Sequence, residues 1–518
     1  MGNEKMMKER EEFLQKAQSL IPELLYEEKT PRCYWMQRGE TAKEQKLYCC
    51  LKQEELGKGD RILFDFGHNC PAYFQFGLKK TGSPQDAPAF LHFRFCETER
   101  EFLEESGEDS GWISRGWIQE EWLHIDELPC TAEMSRRYAF RYVLITVLDT
   151  SKKYKISFEN VLRKEVSCVD GEAMISALPK CGDSMLHKIR EVSIRTLANC
   201  MQTVFEDGPK RDRRLWLGDL MLQALVNYET FQKNDLVKRC LYLFAGLCNP
   251  EDGMIPACVF EKPVPLMDDS FLLDYSLFFI PVLVEYYRRT GDLETVEELS
   301  ETAFRQVTIA MKFTENFLIR EEGISLQGEK YFCFVDWKEG LDKQCSMQGI
   351  LLYAVRYGVE LCEILGQKEK AEKYGEMQKG LEAAAVKAFW DQKKKVFFSG
   401  RQHQISIASQ VWMILAGLVQ GKEAKELLLR VKDCPMIMVT PYMHHFYVMA
   451  LLRAGEKEEA LKHVKEYWGG MIRAGADTFW ELYNPMNEKE SPYGSYSVNS
   501  YCHAWSCTPV YLLKYLEE

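Results

Sequence analysis

The 518-residue chain contains no apolar run approaching the length of a membrane span. Its first residues, MGNEKMMKEREEF, lack the apolar core of a secretory signal. Met6 stands where a myristoylated N-terminus carries Ser or Thr. Positive charge is also short: 66 Lys and Arg against 78 Asp and Glu give a net charge of −12, with no basic block. That balance argues against nucleic acid and anionic membrane surfaces as partners. The 18 cysteines are scattered without paired metal-ligand spacing. Without an export signal they are expected to be reduced thiols in a cytoplasmic protein.

What is present is globular. Apolar residues make up 46% and charged ones 28%, and the length suits two or three domains. Aromatics reach 12%, with 11 Trp and 25 Tyr, a supply compatible with sugar stacking or with a helical core. Residues 4–27 carry helical spacing, so 1–31 is read as an N-terminal helix. From 32 to 170 short alternating runs are separated by glycine, proline and acidic clusters, as in a β-sandwich. The acidic run from 97 to 108 is taken as a solvated loop.

From 171 to 518 the pattern is helical. Twelve helices are predicted between 184 and 516, joined alternately by short turns and long loops. The long loops fall at 206–218, 248–270, 319–344, 391–403 and 469–498, and the last helix is placed at 499–516. Six hairpins with that alternation predict an (α/α)6 toroid, with the long loops gathered at one mouth. The fold class is therefore mainly α, with an N-terminal β domain.

Residues 206–219, E-D-G-P-K-R-D-R-R-L-W-L-G-D, pack four acids and four bases into one helix-to-helix connection. Gly208-Pro209 stops the preceding helix. A self-neutralising surface loop would explain the charges. The Leu-Trp-Leu at 215–217 turns part of the segment inward, where acids beside arginines serve either structure or chemistry. Asp268-Asp269 and Asp274-Tyr275 read as helix-capping residues. His444 and His445, adjacent on one helix, point about 100° apart, which disfavours a joint acid–base role.

The 206–219 run resembles the signature of glycoside hydrolase family 78, the α-L-rhamnosidases: Asp-Cys-Pro-x-Arg-Glu, a spacer, then Trp-x-Gly-Asp. Asp207, Pro209, Arg211, Trp216, Gly218 and Asp219 match; Gly208 replaces Cys, and Asp212 stands where the family has its general-acid Glu. G-A-D-T-F-W-E at 475–481 resembles Gly-Ala-Thr-Thr-x-Trp-Glu, whose Glu is the general base, and Asp477 replaces the first Thr. ILFDFGHN and RRYAFRYVLITV resemble strands of the family's sandwich.

The resemblance implies a six-hairpin glycosidase that inverts at the anomeric carbon, with Asp212 as general acid and Glu481 as general base. Such a pair stands ~6.5–9.5 Å apart, one protonated and one ionised. Asp207, Arg211, Trp216, Asp219, Asp336, Trp337, Trp480 and His503 would hold the sugar. The implied substrate is a small glycoside with terminal α-L-rhamnose; no metal or organic cofactor is implied, and a homo-oligomer stays open. Aspartate is shorter than glutamate by roughly 1.5 Å, so the backbone at 212 must compensate, another acid such as Glu206 must act, or the chemistry is altered or lost. The alternatives are a glycosidase for a different terminal sugar, an inactive carbohydrate-binding homologue, or an isomerase on the same toroid.

Overall fold

The computed structural model describes residues 2–39, 43–103, 111–179, 181–320, 331–487 and 490–517. The first helix, α1 (Gly2–Ser19), ends before Pro22, and the chain then forms β1 (Leu25–Lys29) instead of continuing as helix to 27. Proline removes the N–H the next turn needs, and the LYEEK segment finds backbone partners on β9 (Tyr154–Ser167). Helix α1 packs on the later helix α5 (Asn234–Gly246), with Phe13 against Tyr242 at 5.7 Å and Arg10 Nε donating to the Gly246 carbonyl at 3.1 Å.

The other strands of the β domain are β2 (Cys33–Gln37), β3 (Glu44–Leu47), β4 (Arg61–Gly82), β5 (Ala89–Cys96), β6 (Glu120–Ile125), β7 (Cys130–Glu133) and β8 (Tyr138–Asp149). The long β4 belongs to both layers. Its first part pairs with β2 and β8, the register slips between Asp65 and Cys70, and the second part pairs with β9 and β7. Gly67 sits at the slip with φ +91°, which only glycine takes easily. Alternate residues Ile62, Phe64, Ala72, Phe74, Phe76 and Leu78 face one core shared by the layers. Phe76 of one layer meets Phe93 of the other at 5.2 Å.

The helical region contains α2 (Gly171–Ser176), α3 (Ser184–Cys200), α4 (Leu217–Glu229), α5, α6 (Leu273–Leu277), α7 (Phe279–Thr290), α8 (Leu293–Met311), α9 (Gln344–Ile364) and α10 (Lys368–Phe389). It continues with α11 (Ile407–Leu415), α12 (Gly421–Val431), α13 (Pro441–Arg453), α14 (Lys457–Arg473) and α15 (Pro509–Glu517). Helices α4, α7, α9, α11, α13 and α15 touch in that order, and α15 returns to α4. Helices α3, α5, α8, α10, α12 and α14 lie outside this ring. Every outer-to-inner connection is the longer one, so the long loops emerge at one end. This is the (α/α)6 toroid with an N-terminal β domain. The last helix begins at Pro509, ten residues later than the sequence pattern placed it.

The β domain grips this mouth. Arg141 of β8 pairs with Asp477 at 3.2 Å, and Asn69 Nδ2 donates to the Thr478 hydroxyl at 3.2 Å. Glu97 and Glu101, expected in a solvated loop, are buried at 1% and 3% exposure. Glu101 takes the Lys210 ammonium at 2.5 Å, and Glu97 accepts the Tyr501 N–H at 2.7 Å. The rest of that acidic run, from 104 on, lies outside the described residues. Among the described residues no helix is long and apolar enough to cross a membrane.

Candidate active site

The first loop of the mouth runs from α3 to α4. Asp207 N–H donates to the Arg214 carbonyl, and Arg214 N–H donates back to Asp207 Oδ1, both at 3.0 Å. The segment between is pinched into a tight bend. A Cβ on Gly208 would lie 2.6 Å from the Arg211 carbonyl oxygen and 3.0 Å from that of Cys502, so glycine alone fits there. Arg213 holds φ +60°, a region non-glycine residues seldom take. The bend turns Lys210 into the protein and leaves Arg211 and Asp212 on a cavity of about 370 Å3.

Arg211 is the centre of charge in that cavity. Its Nε donates to the Val498 carbonyl at 3.0 Å, and its face lies 4.1 Å from the centre of the Tyr493 ring. Nη2 pairs with Glu481 Oε2, and Nη1 reaches Asp212 Oδ1 at 3.4 Å. One planar guanidinium thus joins both carboxylates, which holds their nearest oxygens within roughly 8 Å. Glu481 also accepts from the Tyr493 hydroxyl and from the Ser500 N–H at 3.2 Å. Burial pushes its carboxyl up, but Arg211 and the Tyr493 hydrogen bond outweigh this and leave it below the usual carboxylate range.

Two further acids of the cavity favour the protonated form. Asp207 and Asp219 are 4% and 2% exposed. Burial, and then neighbouring carboxyls, push both well above the usual range. His503 lies between them, Nδ1 at 3.5 Å from Asp219 and Nε2 at 4.0 Å from Asp207. Burial lowers the imidazole to about 4, so it is neutral. His503 does not start the last helix: in extended backbone, it immediately precedes the three-residue 3-10 turn Ala504–Ser506, with its N–H bonded to the Phe479 carbonyl at 2.9 Å. Asp219 Oδ1, His503 Nδ1, Trp216 Nε1 and Trp337 Nε1 are buried polar atoms with no hydrogen-bond partner among the described residues. Such orphans on cavity-lining residues are what a hydroxyl-rich ligand satisfies.

Asp207, Arg211, Asp212, Trp216, Asp219, Trp337, Glu481 and His503 therefore line one cavity. Two expected sugar-binding residues do not. Asp336 is committed to main chain and α13: its oxygens accept from the Val439 and Thr440 N–H groups at 2.9 and 3.1 Å and from the Thr440 hydroxyl at 2.7 Å. Trp480 is buried at the junction of the two domains, with Arg100 over its ring at 4.7 Å. Glu206, the reserve acid, pairs with Arg137 at 2.6 Å and is absent from the cavity lining.

The cavity also includes residues that sequence reasoning did not select: Tyr493, Trp505, Tyr275, Asp268 and, from the β domain, Trp112. None sits in a motif. Tyr275 reaches the wall because Gly218 is bare, since a Cβ there would fall 2.4 Å from the tyrosine ring. Asp274 beside it holds a loop, accepting from the Phe334 and Val335 N–H groups at 2.9 Å each. His444 shares a 2.8 Å hydrogen bond with His463 away from the cavity.

Residues 34–165 match the glycosyl hydrolase family 78 alpha-rhamnosidase N-terminal domain, and residues 176–515 match the bacterial alpha-L-rhamnosidase six-hairpin glycosidase domain. The chain belongs to glycoside hydrolase family 78 and is a glycosidase. It is similar to a rhamnosidase from Klebsiella oxytoca, solved with rhamnose bound, at 40% identity over 97% of this chain and 98% of that one, with a TM-score of 0.90. A family 78 rhamnosidase of Bacillus sp. GL1 shares the fold at 22% identity and a TM-score of 0.72, over 88% of this chain and 46% of that one. The α-L-rhamnosidase of Streptomyces avermitilis, complexed with L-rhamnose, does so at 14% and 0.65, over 96% and 44%. No curated protein matches the sequence.

Proposed function

We propose that the chain is an inverting α-L-rhamnosidase acting on terminal rhamnose, with Asp212 as general acid and Glu481 as general base. The observation that carries this reading is the Arg211 guanidinium reaching a carboxylate on either side within one cavity. The roughly 8 Å ceiling on the separation is compatible with the ~6.5–9.5 Å of inverting pairs, in which a water fits between the carboxyls. A base must be ionised to take a proton from that water, and the depressed Glu481 carboxyl meets this. Asp212 supplies the proton to the leaving oxygen.

Asp207, Asp219 and neutral His503 offer donors and acceptors to sugar hydroxyls without adding net charge. Arg211, Trp216 and Trp337 complete the sugar's surroundings. Asp336 and Trp480 act as positioning residues for the loops behind. The Klebsiella oxytoca relative with rhamnose bound supports this choice of sugar.

The test uses aryl α-L-rhamnosides with leaving groups of graded acidity. Glu481→Gln is expected to lower kcat on all of them by about 10^2–10^4-fold. Asp212→Asn is expected to do the same on poor leaving groups and progressively less on good ones, which need no proton. Native activity in either variant refutes the assignment.

A further inference from the structure

The loop that carries Tyr493 into the catalytic cavity is fastened at two levels. Its base closes on itself within the toroid: the Ser491 hydroxyl donates to Asn499 Oδ1 at 2.7 Å, and Asn499 Nδ2 donates to the Glu490 carbonyl at 3.3 Å. Two carbonyls of its tip accept from the β domain. Trp112 N–H donates to the Tyr493 carbonyl at 3.1 Å, and the Trp112 indole N–H donates to the neighbouring Pro492 carbonyl at 2.8 Å. Gly111 comes so close that a Cβ there would run into the Tyr493 carbonyl oxygen, and its φ of +63° lies in a region that glycine takes easily. Ile113 and Ile118, a few residues on, pack with Tyr493 and Val498 in a small apolar cluster.

The side chain held in this way touches the groups that do the chemistry. The Tyr493 hydroxyl donates to Glu481, and the Arg211 guanidinium lies 4.1 Å from the centre of the tyrosine ring. The other titratable and charged groups facing Glu481 are Arg211 itself, His503 and, from α4, Asp219; the Ser500 N–H is a further donor. A hydroxyl stabilises an ionised carboxylate only while it stays in line and within hydrogen-bond reach, so a tip that drifts by ~1 Å gives up most of the bond. Glu481 then loses one of the interactions that keep it ionised.

We propose that Gly111 and Trp112 form a latch from the β domain that holds Tyr493 against Glu481, so that the β domain tunes the general base of the toroid. In this role both are positioning residues. The inference rests on Glu481 being the base.

The test is the pH profile of kcat/KM on methyl α-L-rhamnoside, whose leaving group has no ring to stack on Trp112. A lost hydrogen bond to a charged group moves a carboxyl by about one pH unit or more, so Tyr493→Phe is expected to raise the acid limb by that much. Trp112→Phe keeps an aromatic ring but deletes the indole N–H, and Gly111→Ala pushes on the Tyr493 carbonyl; both leave the Tyr493 hydroxyl in place. Each should raise the limb by roughly 0.3–1 unit, with KM little changed. In a Tyr493→Phe background neither should raise it further, because the hydroxyl through which the latch acts is gone. A limb that moves in Tyr493→Phe but stays fixed in both β-domain variants, or shifts that add in full to that of Tyr493→Phe, overturn the latch and leave the base assignment standing. A limb that stays fixed in Tyr493→Phe itself removes Glu481 as the group behind it, and the latch with it.

Discussion

The β domain is expected to act on catalysis through one buried ion pair. Lys210, next to Arg211 in the chain, is 1% exposed, and its ammonium binds Glu101 together with the Ser497 and Asn499 carbonyls. Glu97, pushed up to about 8 by burial and by its neighbour Glu101, fixes the Tyr501 N–H on the same strip of chain as His503. Lys210→Met leaves Glu101 buried without a counter-charge, which costs about 3–5 kcal/mol. For a toroid of this length that is a fall of about 4–7 °C in Tm.

Lys210→Met with Glu101→Leu removes both charges, and such replacements are near neutral in stability. The double variant should therefore recover Tm. It should not recover kcat, because the bend carrying Asp212 has lost its anchor, and displacement on the order of 1 Å costs about 10^2-fold. Differential scanning calorimetry and kcat on an aryl rhamnoside read the two effects separately. Native kcat in the double variant, or a single-variant cost under about 1 kcal/mol, refutes the coupling.

Two further outcomes follow from the charges in the cavity. Asp219 has its carboxyl raised on folding, so its contribution to stability is present at low pH and is lost as pH rises through the folded value. Asp219→Asn should therefore gain stability over the native protein above pH 7, about 1.4 kcal/mol for every tenfold by which folding tightens the carboxyl's hold on its proton, while losing activity; equal Tm curves across pH would contradict this. Tyr493→Phe removes a hydrogen bond that favours ionised Glu481. The acid limb of kcat/KM should move to higher pH, and a limb that stays put would separate that limb from Glu481.

Much of the architecture was legible because a toroid is built from local signals. Helical periodicity, glycine at turns and the alternation of short and long connections are each written within a few residues. The two motif loops were legible as well, since Asp207–Asp219 and Glu481 carry chemistry-bearing residues at fixed spacing. What stayed hidden depends on contacts between distant segments. Trp480 follows the same motif as Glu481, but the Arg100 side chain from the β domain covers its face. Asp336 looks like a hydroxyl acceptor until α13 brings two N–H groups to it. Glu97 and Glu101 read as solvated because their counter-charge, Lys210, is more than a hundred residues away. Trp112 and Tyr493 meet the cavity only through their pairing across the two domains.

The most direct measurement is the anomeric form of the first rhamnose released, followed by proton NMR in the first minutes of hydrolysis of an aryl α-L-rhamnoside. A water activated by Glu481 on the face opposite Asp212 gives β-L-rhamnose first, with the α form growing in by mutarotation. Initial release of the α form would contradict the pairing of these two carboxylates across the cavity.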